Sequence, residues 1–263
     1  MSSPALRIEG VTKLFGSTVA LADTSFGLGK GEFVSLLGPS GCGKSTLFNV
    51  IAGLTEPTKG RVAIADEDVT GRCGHVGYMM QKDLLLPWKT VRENIVLGAT
   101  LTGSADRADR EEAAVLAERY GLGGFIDQYP HTLSGGMRQR VALMRTLAFH
   151  KEVILLDEPF GALDALTRAD MHEWLLEVWE REECTVLFVT HDVDEALFLS
   201  DRILVMSPRP GRIETEVRVE IPRPRSVDAM TSRPFVEGKA RILATLRDAR
   251  AAMAGGQREG VAE

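Results

Sequence analysis

Gly38-Pro39-Ser40-Gly41-Cys42-Gly43-Lys44-Ser45 decides the reading of this chain. The eight residues fit G-x-x-x-x-G-K-[ST], follow the apolar run Phe33–Leu37 and open a predicted helix at Ser45–Ala52, which is the context this motif requires. Glycines let the backbone curl until its N–H groups face phosphate oxygens. The helix start adds a positive dipole end. Lys44 is placed to reach the β- and γ-phosphates of ATP and Ser45 to ligate Mg²⁺. The predicted nucleotide contacts here are Gly38, Ser40, Gly41, Cys42, Gly43, Lys44, Ser45 and Thr46, with no redox role for Cys42. The loop by itself does not choose among kinases, GTPases and motor ATPases.

Outward from the loop, Val153-Ile154-Leu155-Leu156 is an apolar strand ending in Asp157-Glu158-Pro159. A charge closing a buried strand is costly unless something pairs with it. A magnesium ion accounts for Asp157, and the next carboxylate, Glu158, is placed as general base for an attacking water. A second apolar strand, Val186–Val189, ends in Thr190-His191-Asp192. Parallel strands share one carboxyl edge, so His191 falls near the phosphates and Glu158.

Leu133-Ser134-Gly135-Gly136-Met137-Arg138-Gln139 opens a helix, and its serine and two glycines make a second anion-binding element. With these motifs in this order, the chain resembles the ATP-binding cassette (ABC) ATPases over roughly residues 5–215, with Met137 where that family most often has Gln. The resemblance implies a RecA-like mixed sheet with flanking helices, an antiparallel β subdomain and an inserted α-helical subdomain. It makes Phe15 the aromatic that stacks on adenine, although a core phenylalanine also fits that position. It makes Gln81 a sensor of Mg²⁺ and of the attacking water, so that the implied metal set is Ser45, Gln81 and Asp157 and the catalytic set Glu158, His191 and Gln81. Asp164 falls in a loop that crosses a dimer interface. Two copies would pair head to tail, with Ser134, Gly135 and Gly136 of one closing over ATP held by Lys44 of the other.

Gln81-Lys82-Asp83-Leu84-Leu85-Leu86-Pro87-Trp88 places an apolar patch in a polar-flanked loop. It is either a partner surface or a contact with the core of a helical subdomain. In importers of the family this region receives a permease. The wording of the motifs looks most like the nitrate, sulfonate and taurine importer group, which includes importers of thiamine-precursor pyrimidines. The resemblance therefore implies an ATPase peripheral to the cytoplasmic face of a bacterial inner membrane. Its partners would be integral-membrane permease subunits, a second cassette and, indirectly, an extracytoplasmic substrate-binding protein. An exporter cassette or a non-transport ABC ATPase is the alternative. Repair types split the cassette with a long coiled coil, whereas here about ninety residues separate Lys44 from Ser134. LSGG followed by LLDEP speaks against a small-molecule kinase.

Composition sets the outer bounds. A net charge of -6 over 263 residues argues against a nucleic-acid partner, which needs a basic face. Cys42, Cys73 and Cys184 are scattered and odd in number, so they read as free thiols rather than a disulfide framework or zinc site. No signal peptide and no run of about 18 apolar residues is visible.

The pattern is α/β. Strands are expected at Leu6–Ile8, Val19–Phe26, Phe33–Leu37, Arg61–Ile64, Val76–Met80, Val153–Leu156, Thr185–Val189 and Arg202–Met206. Helices are expected at Thr90–Leu101, Arg107–Tyr120, Gly136–Phe149, Asp164–Glu182, from Asp192, and at Phe235–Met253. Gly211–Ile221 reads as paired strands, and Ala254–Glu263 as a frayed end. The expected division is 1–88 for the first part of the nucleotide-binding core with its β subdomain, 89–149 for the helical insert ending in the LSGGM signature, 150–215 for the second part of the core and 216–263 for a short extension.

Overall fold

The computed structural model describes residues 4–103 and 106–259, with side chains as far as Arg247. In chain order the first elements are β1 (Leu6–Phe15), β2 (Thr18–Leu28), β3 (Phe33–Leu37), α1 (Lys44–Ile51), β4 (Lys59–Ile64), β5 (Glu67–Asp68) and β6 (Gly77–Met79). Helices α2 (Val91–Ile95), α3 (Leu97–Thr102), α4 (Arg107–Arg119) and α5 (Gly135–Leu147) follow. The rest alternates: β7 (Val153–Asp157), α6 (Ala165–Glu182), β8 (Thr185–Thr190), α7 (Val193–Leu199), β9 (Arg202–Met206), β10 (Ile213–Arg218) and α8 (Arg233–Glu259).

Two sheets result. One is a four-stranded antiparallel sheet in the order β2-β1-β4-β5; the other has six strands in the order β10-β9-β3-β8-β7-β6. The pairs within β9-β3-β8-β7-β6 are parallel, and β10 adds an antiparallel edge.

Every residue of β3, β7 and β8 is buried. Successive side chains on a strand point to opposite faces, so a strand buried on both faces is mostly apolar, and its few polar residues, such as Ser35 against Ser200, need partners. Phe33, Ile154 and Phe188 enter one core cluster with α5 and α6, while Val34, Leu155 and Leu187 enter another with α1 and the antiparallel sheet. The sheet therefore separates two cores, and its carboxyl edge is where chemistry can reach solvent.

Three expectations change. The helix expected at Thr90–Leu101 is two helices that meet at Val96. Thr90 starts α2 in a reciprocal capping box with Glu93. Gly211–Ile221 holds the single strand β10, which pairs with β9 rather than with a partner of its own. Its alternation of half-buried Ile213, Thr215 and Val217 with exposed Glu214, Glu216 and Arg218 is that of an edge strand. The last helix starts at Arg233, because Pro234 fits the first helical turn, where its missing N–H costs nothing. Of the expected frayed end, the helix continues through Glu259 and residues 260–263 lie outside the described residues.

The C-terminal extension is fastened to the core. Phe235 and Ile242 are buried. Arg225, also buried, donates to the carbonyls of Leu197, Phe198 and Ser200 at the end of α7. That satisfies acceptors a helix end leaves open. Lys239 Nζ lies 2.7 Å from Asp194 Oδ2. Among the described residues no helix is long and apolar enough to cross a membrane.

Candidate active site

The loop between β3 and α1 shapes the centre of the site. Gly41 and Gly43 have φ of 77° and 109°, values open to glycine but strained for other residues. A Cβ on Gly43 would lie 2.9 Å from both Ala20 O and Leu21 Cδ2, so the loop also presses on β2. No side chain caps α1. Its first N–H groups are thus available to an anion.

Lys44 is 7% exposed and its Nζ donates to Gly38 O at 2.8 Å and Pro39 O at 3.1 Å. The ammonium is thereby held across the loop before any ligand arrives. Cys42 is buried at 1% exposure, packed into the core beneath the loop with its Sγ 4.0 Å from Lys44 Nζ. Burial raises its thiol pKa against the opposing pull of Lys44. A nucleotide contact by Cys42 would accordingly be made through its backbone.

A cleft of about 320 Å³ opens above the loop, lined by Ser40, Gly41, Gly43, Lys44, Ser45, Thr46, Gln81, Glu158 and Arg209. Parallel register explains why residues 113 apart in sequence, Ser45 and Glu158, meet there. Leu37 pairs with Thr190, Asp157 with Val189 and Met79 with Leu156, so the four strand ends deliver their loops to one edge.

Asp157 is 8% exposed and accepts a hydrogen bond from the Ser45 hydroxyl. Burial raises its pKa; the Ser45 bond opposes this, the Glu158 charge adds to it and Lys44 opposes it again. Such a buried carboxylate, short of positive charge and beside a hydroxyl, suits a hard cation that takes few protein ligands and completes its shell from phosphates. No cluster of three His, Cys, Asp or Glu residues able to hold a metal occurs among the described residues, so a cation here would rest on this smaller set.

Glu158 lies just past β7 with φ of 46°, a left-handed backbone for a side chain larger than glycine. Strain of this kind, about 1 kcal/mol, persists where the surroundings over-determine it. Glu158 N donates to Val189 O at 3.0 Å, and Gly161 N to Glu158 O at 3.2 Å. His191 Nδ1 lies 3.2 Å from Glu158 Oε2, and Gln81 Nε2 donates to the same oxygen at 3.4 Å. Both partners take Oε2. Oε1 has no hydrogen bond among the described residues and is the oxygen free to accept from a water.

Some predicted residues lie elsewhere. Phe15 ends β1 at 52% exposure with the Lys13 ammonium 5.0 Å from its ring centroid. It is a surface aromatic rather than a core one, and it does not line the cleft. Ser134, Gly135 and Gly136 start α5 and do not line the cleft either. Ser134 Oγ accepts from Met137 N at 3.3 Å, and a Cβ on Gly136 would meet Thr167 Cγ2 at 2.9 Å. The signature is packed against the start of α6.

Other residues escaped the sequence. Behind His191, Thr190 donates from its hydroxyl to Glu195 Oε2, and Glu195 Oε1 lies 2.8 Å from His172 Nε2, all three side chains being buried. Asp192 N donates to Thr190 Oγ1 at 3.0 Å, so the backbone carrying His191 is tied into this network. The loop after Gln81 is gripped by α5: Arg145 donates to the carbonyls of Asp83 and Leu84 at 2.6 and 2.8 Å, and Arg138 Nε to Asp83 Oδ2 at 3.2 Å. Buried Asn94 accepts from Leu86 N at 2.8 Å and donates to the carbonyls of Leu86, Lys89 and Thr90. Leu85 is buried, whereas Leu84 and Trp88 are 51% and 70% exposed. The apolar loop is thus split, with one leucine in the core and two large side chains outside.

Known proteins share this arrangement. The family model described as ABC transporter matches residues 21–161. The nitrate import ATP-binding protein NrtD of Synechocystis is 44% identical over 221 residues, 82% of this chain and 83% of the relative. The aliphatic sulfonates import ATP-binding protein SsuB of Bacillus cereus is 43% identical over 240 residues, 90% of this chain and 93% of the relative. Among solved structures, the cassette MJ0796, a dimer in a post-hydrolysis state bound to ADP and Pi, superposes with a TM-score of 0.70 at 31% identity, covering 82% of this chain and 99% of that one. The phosphate loop, the paired carboxylates at the end of β7 and these likenesses lead to one conclusion: the chain belongs to the ABC transporter family and is an ATP-binding, ATP-hydrolysing cassette.

Proposed function

We propose that the chain is the ATPase subunit of an importer, converting ATP-driven closure of two cassettes and hydrolysis into transport by a membrane permease. The observation that carries the chemistry is Glu158 at the mouth of the phosphate cleft, one oxygen of which accepts from Gln81 and lies 3.2 Å from His191 Nδ1. In this reading the α1 N-terminus and Lys44 bind the phosphates. Glu158 accepts a proton from the attacking water, and His191 and Gln81 hold the carboxylate in place. Ser45, Asp157 and Gln81 would hold Mg²⁺, which when bound would neutralise charge on the transferred phosphoryl group. Phe15 stacks on adenine. Ser134, Gly135 and Gly136 serve the site of a second, head-to-tail copy, a reading supported by the dimeric state of the MJ0796 cassette.

Importer direction draws support from the nitrate and sulfonate import relatives. The substrate proposed is accordingly nitrate, a sulfonate such as taurine, or a thiamine-precursor pyrimidine, delivered by an extracytoplasmic binding protein. The protein then sits peripherally on the cytoplasmic face of a bacterial inner membrane. The exposed Leu84 and Trp88 face the permease. Residues 1–88 and 150–215 form the core in this proposal, 89–149 the helical subdomain and 216–263 the extension.

The test is capture of the tagged chain from detergent-solubilised membranes of its host, with bound proteins identified. A multi-span permease encoded with a binding protein is the expected result. Recovery of ribosomal or repair proteins with no membrane protein overturns the transport reading and leaves the ATPase.

A further inference from the structure

Arg209 lines the phosphate cleft and has no place in the mechanism above. We propose that it is a phosphate-contacting residue of the nucleotide site, a second cation that meets the triphosphate from the turn between β9 and β10. The inference rests on the cleft being the ATP site.

Charge is the first argument. Of the residues lining the cleft, only Lys44 and Arg209 are cationic, and Glu158 is anionic. The Lys44 ammonium already donates to two loop carbonyls. Arg209 has no hydrogen bond, ion pair or ring contact among the described residues, whereas Arg212, three positions on, lies 3.7 Å from Glu214. An arginine left without a partner beside a polyanion site has its five donors free for phosphate oxygens.

Anchoring is the second argument, because an unpaired surface arginine is usually just solvated. The turn that carries Arg209 is fixed on both sides. Gly211 N donates to Ala20 O at 3.0 Å, and Ala22 N to Gly211 O at 2.9 Å. A Cβ on Gly211 would sit 2.0 Å from Cys42 O, so the turn rests directly on the phosphate loop. Ser207 Oγ donates to Pro210 O at 3.0 Å and accepts from Arg212 N at 3.1 Å. The backbone of the cation is therefore positioned by the same loop that positions the phosphates, which lowers the ordering cost of contact.

The test is displacement of a fluorescent ATP analogue from the full chain by ATP and by inorganic tripolyphosphate. It compares wild type with Arg209→Ala, Arg209→Lys and Lys44→Ala, each with a melting curve. Arg209→Ala should weaken both competitors by the same factor, about tenfold for a charge-assisted contact in an open cleft, with unchanged melting. Arg209→Lys should recover part of the loss. Wild-type affinity in Arg209→Ala overturns the proposal. A loss for ATP but not for tripolyphosphate, or a loss with lowered melting that lysine does not recover, overturns it equally. Lys44→Ala separates the two readings: if that variant binds ATP normally, the cleft assignment itself has failed.

Discussion

Two glycine-rich helix starts in this molecule have the same chemistry and opposite situations. At α1 the start is uncapped, its backbone left-handed at Gly43, and it opens into a cleft with Lys44 already braced across the loop. At α5 the start is capped by Ser134 and packed against α6, and it lines no part of that cleft. The first is a site; the second is a surface presented elsewhere. A helix N-terminus is an anion receptor only where something delivers the anion to it, and for Ser134 that something is the second copy proposed above.

The comparison is broken most sharply at the hydrolytic centre. Glu158→Gln keeps a side chain of the same shape but removes the proposed base. Phosphate release should fall by about 10²–10⁴-fold while ATP still binds. With ATP and Mg²⁺ saturating, size-exclusion chromatography should find that variant dimeric; a monomer would sink the head-to-tail arrangement. Next, mixing Lys44→Ala with a Ser134→Arg variant should give dimers with one working site in place of two. A mixture as inactive as either variant alone, or a Ser134→Arg variant that keeps the wild-type rate by itself, would mean that α5 does not serve a partner.

Smaller effects sharpen the contrast from the other side. Asn94→Ala removes the amide that holds four backbone groups of the apolar loop and should cost about 1–3 kcal/mol of stability, read by urea unfolding. Basal hydrolysis by the folded fraction should survive. Trp88→Ala is the mildest, within about 0.5 kcal/mol for the isolated protein because the side chain is mostly solvated. Yet it should reduce permease capture. Unaltered capture would take the loop out of the interface.

Much of the fold was legible, for local reasons. β3, β7 and β8 are buried on both faces, and unbroken apolar runs such as Val153–Leu156 announce this. The loop, Asp157, Glu158 and His191 could be placed because parallel strands share an edge. What stayed hidden depends on distant segments meeting. His172 reads as one residue of a helix until Glu195 is found beside its ring. Arg209 enters the site only because Gly211 docks on β2 and on the loop, a contact between segments 187 positions apart at Thr24. The break at Val96 is a tertiary choice too, since apolar spacing runs on through Leu101.

The inward turn of Cys42 has a practical sequel for anyone handling the protein. A thiol inside a nucleotide loop would normally forbid thiol-directed dyes, yet here Cys42 is buried, and Cys184, also buried, has its pKa pushed up to about 11. Only Cys73 stands exposed. Maleimide should therefore attach one fluorophore per chain, at Cys73 beside Gly53 and just past the C-terminal end of α1, without mutagenesis. Association of two cassettes could then be followed by energy transfer in the unaltered protein.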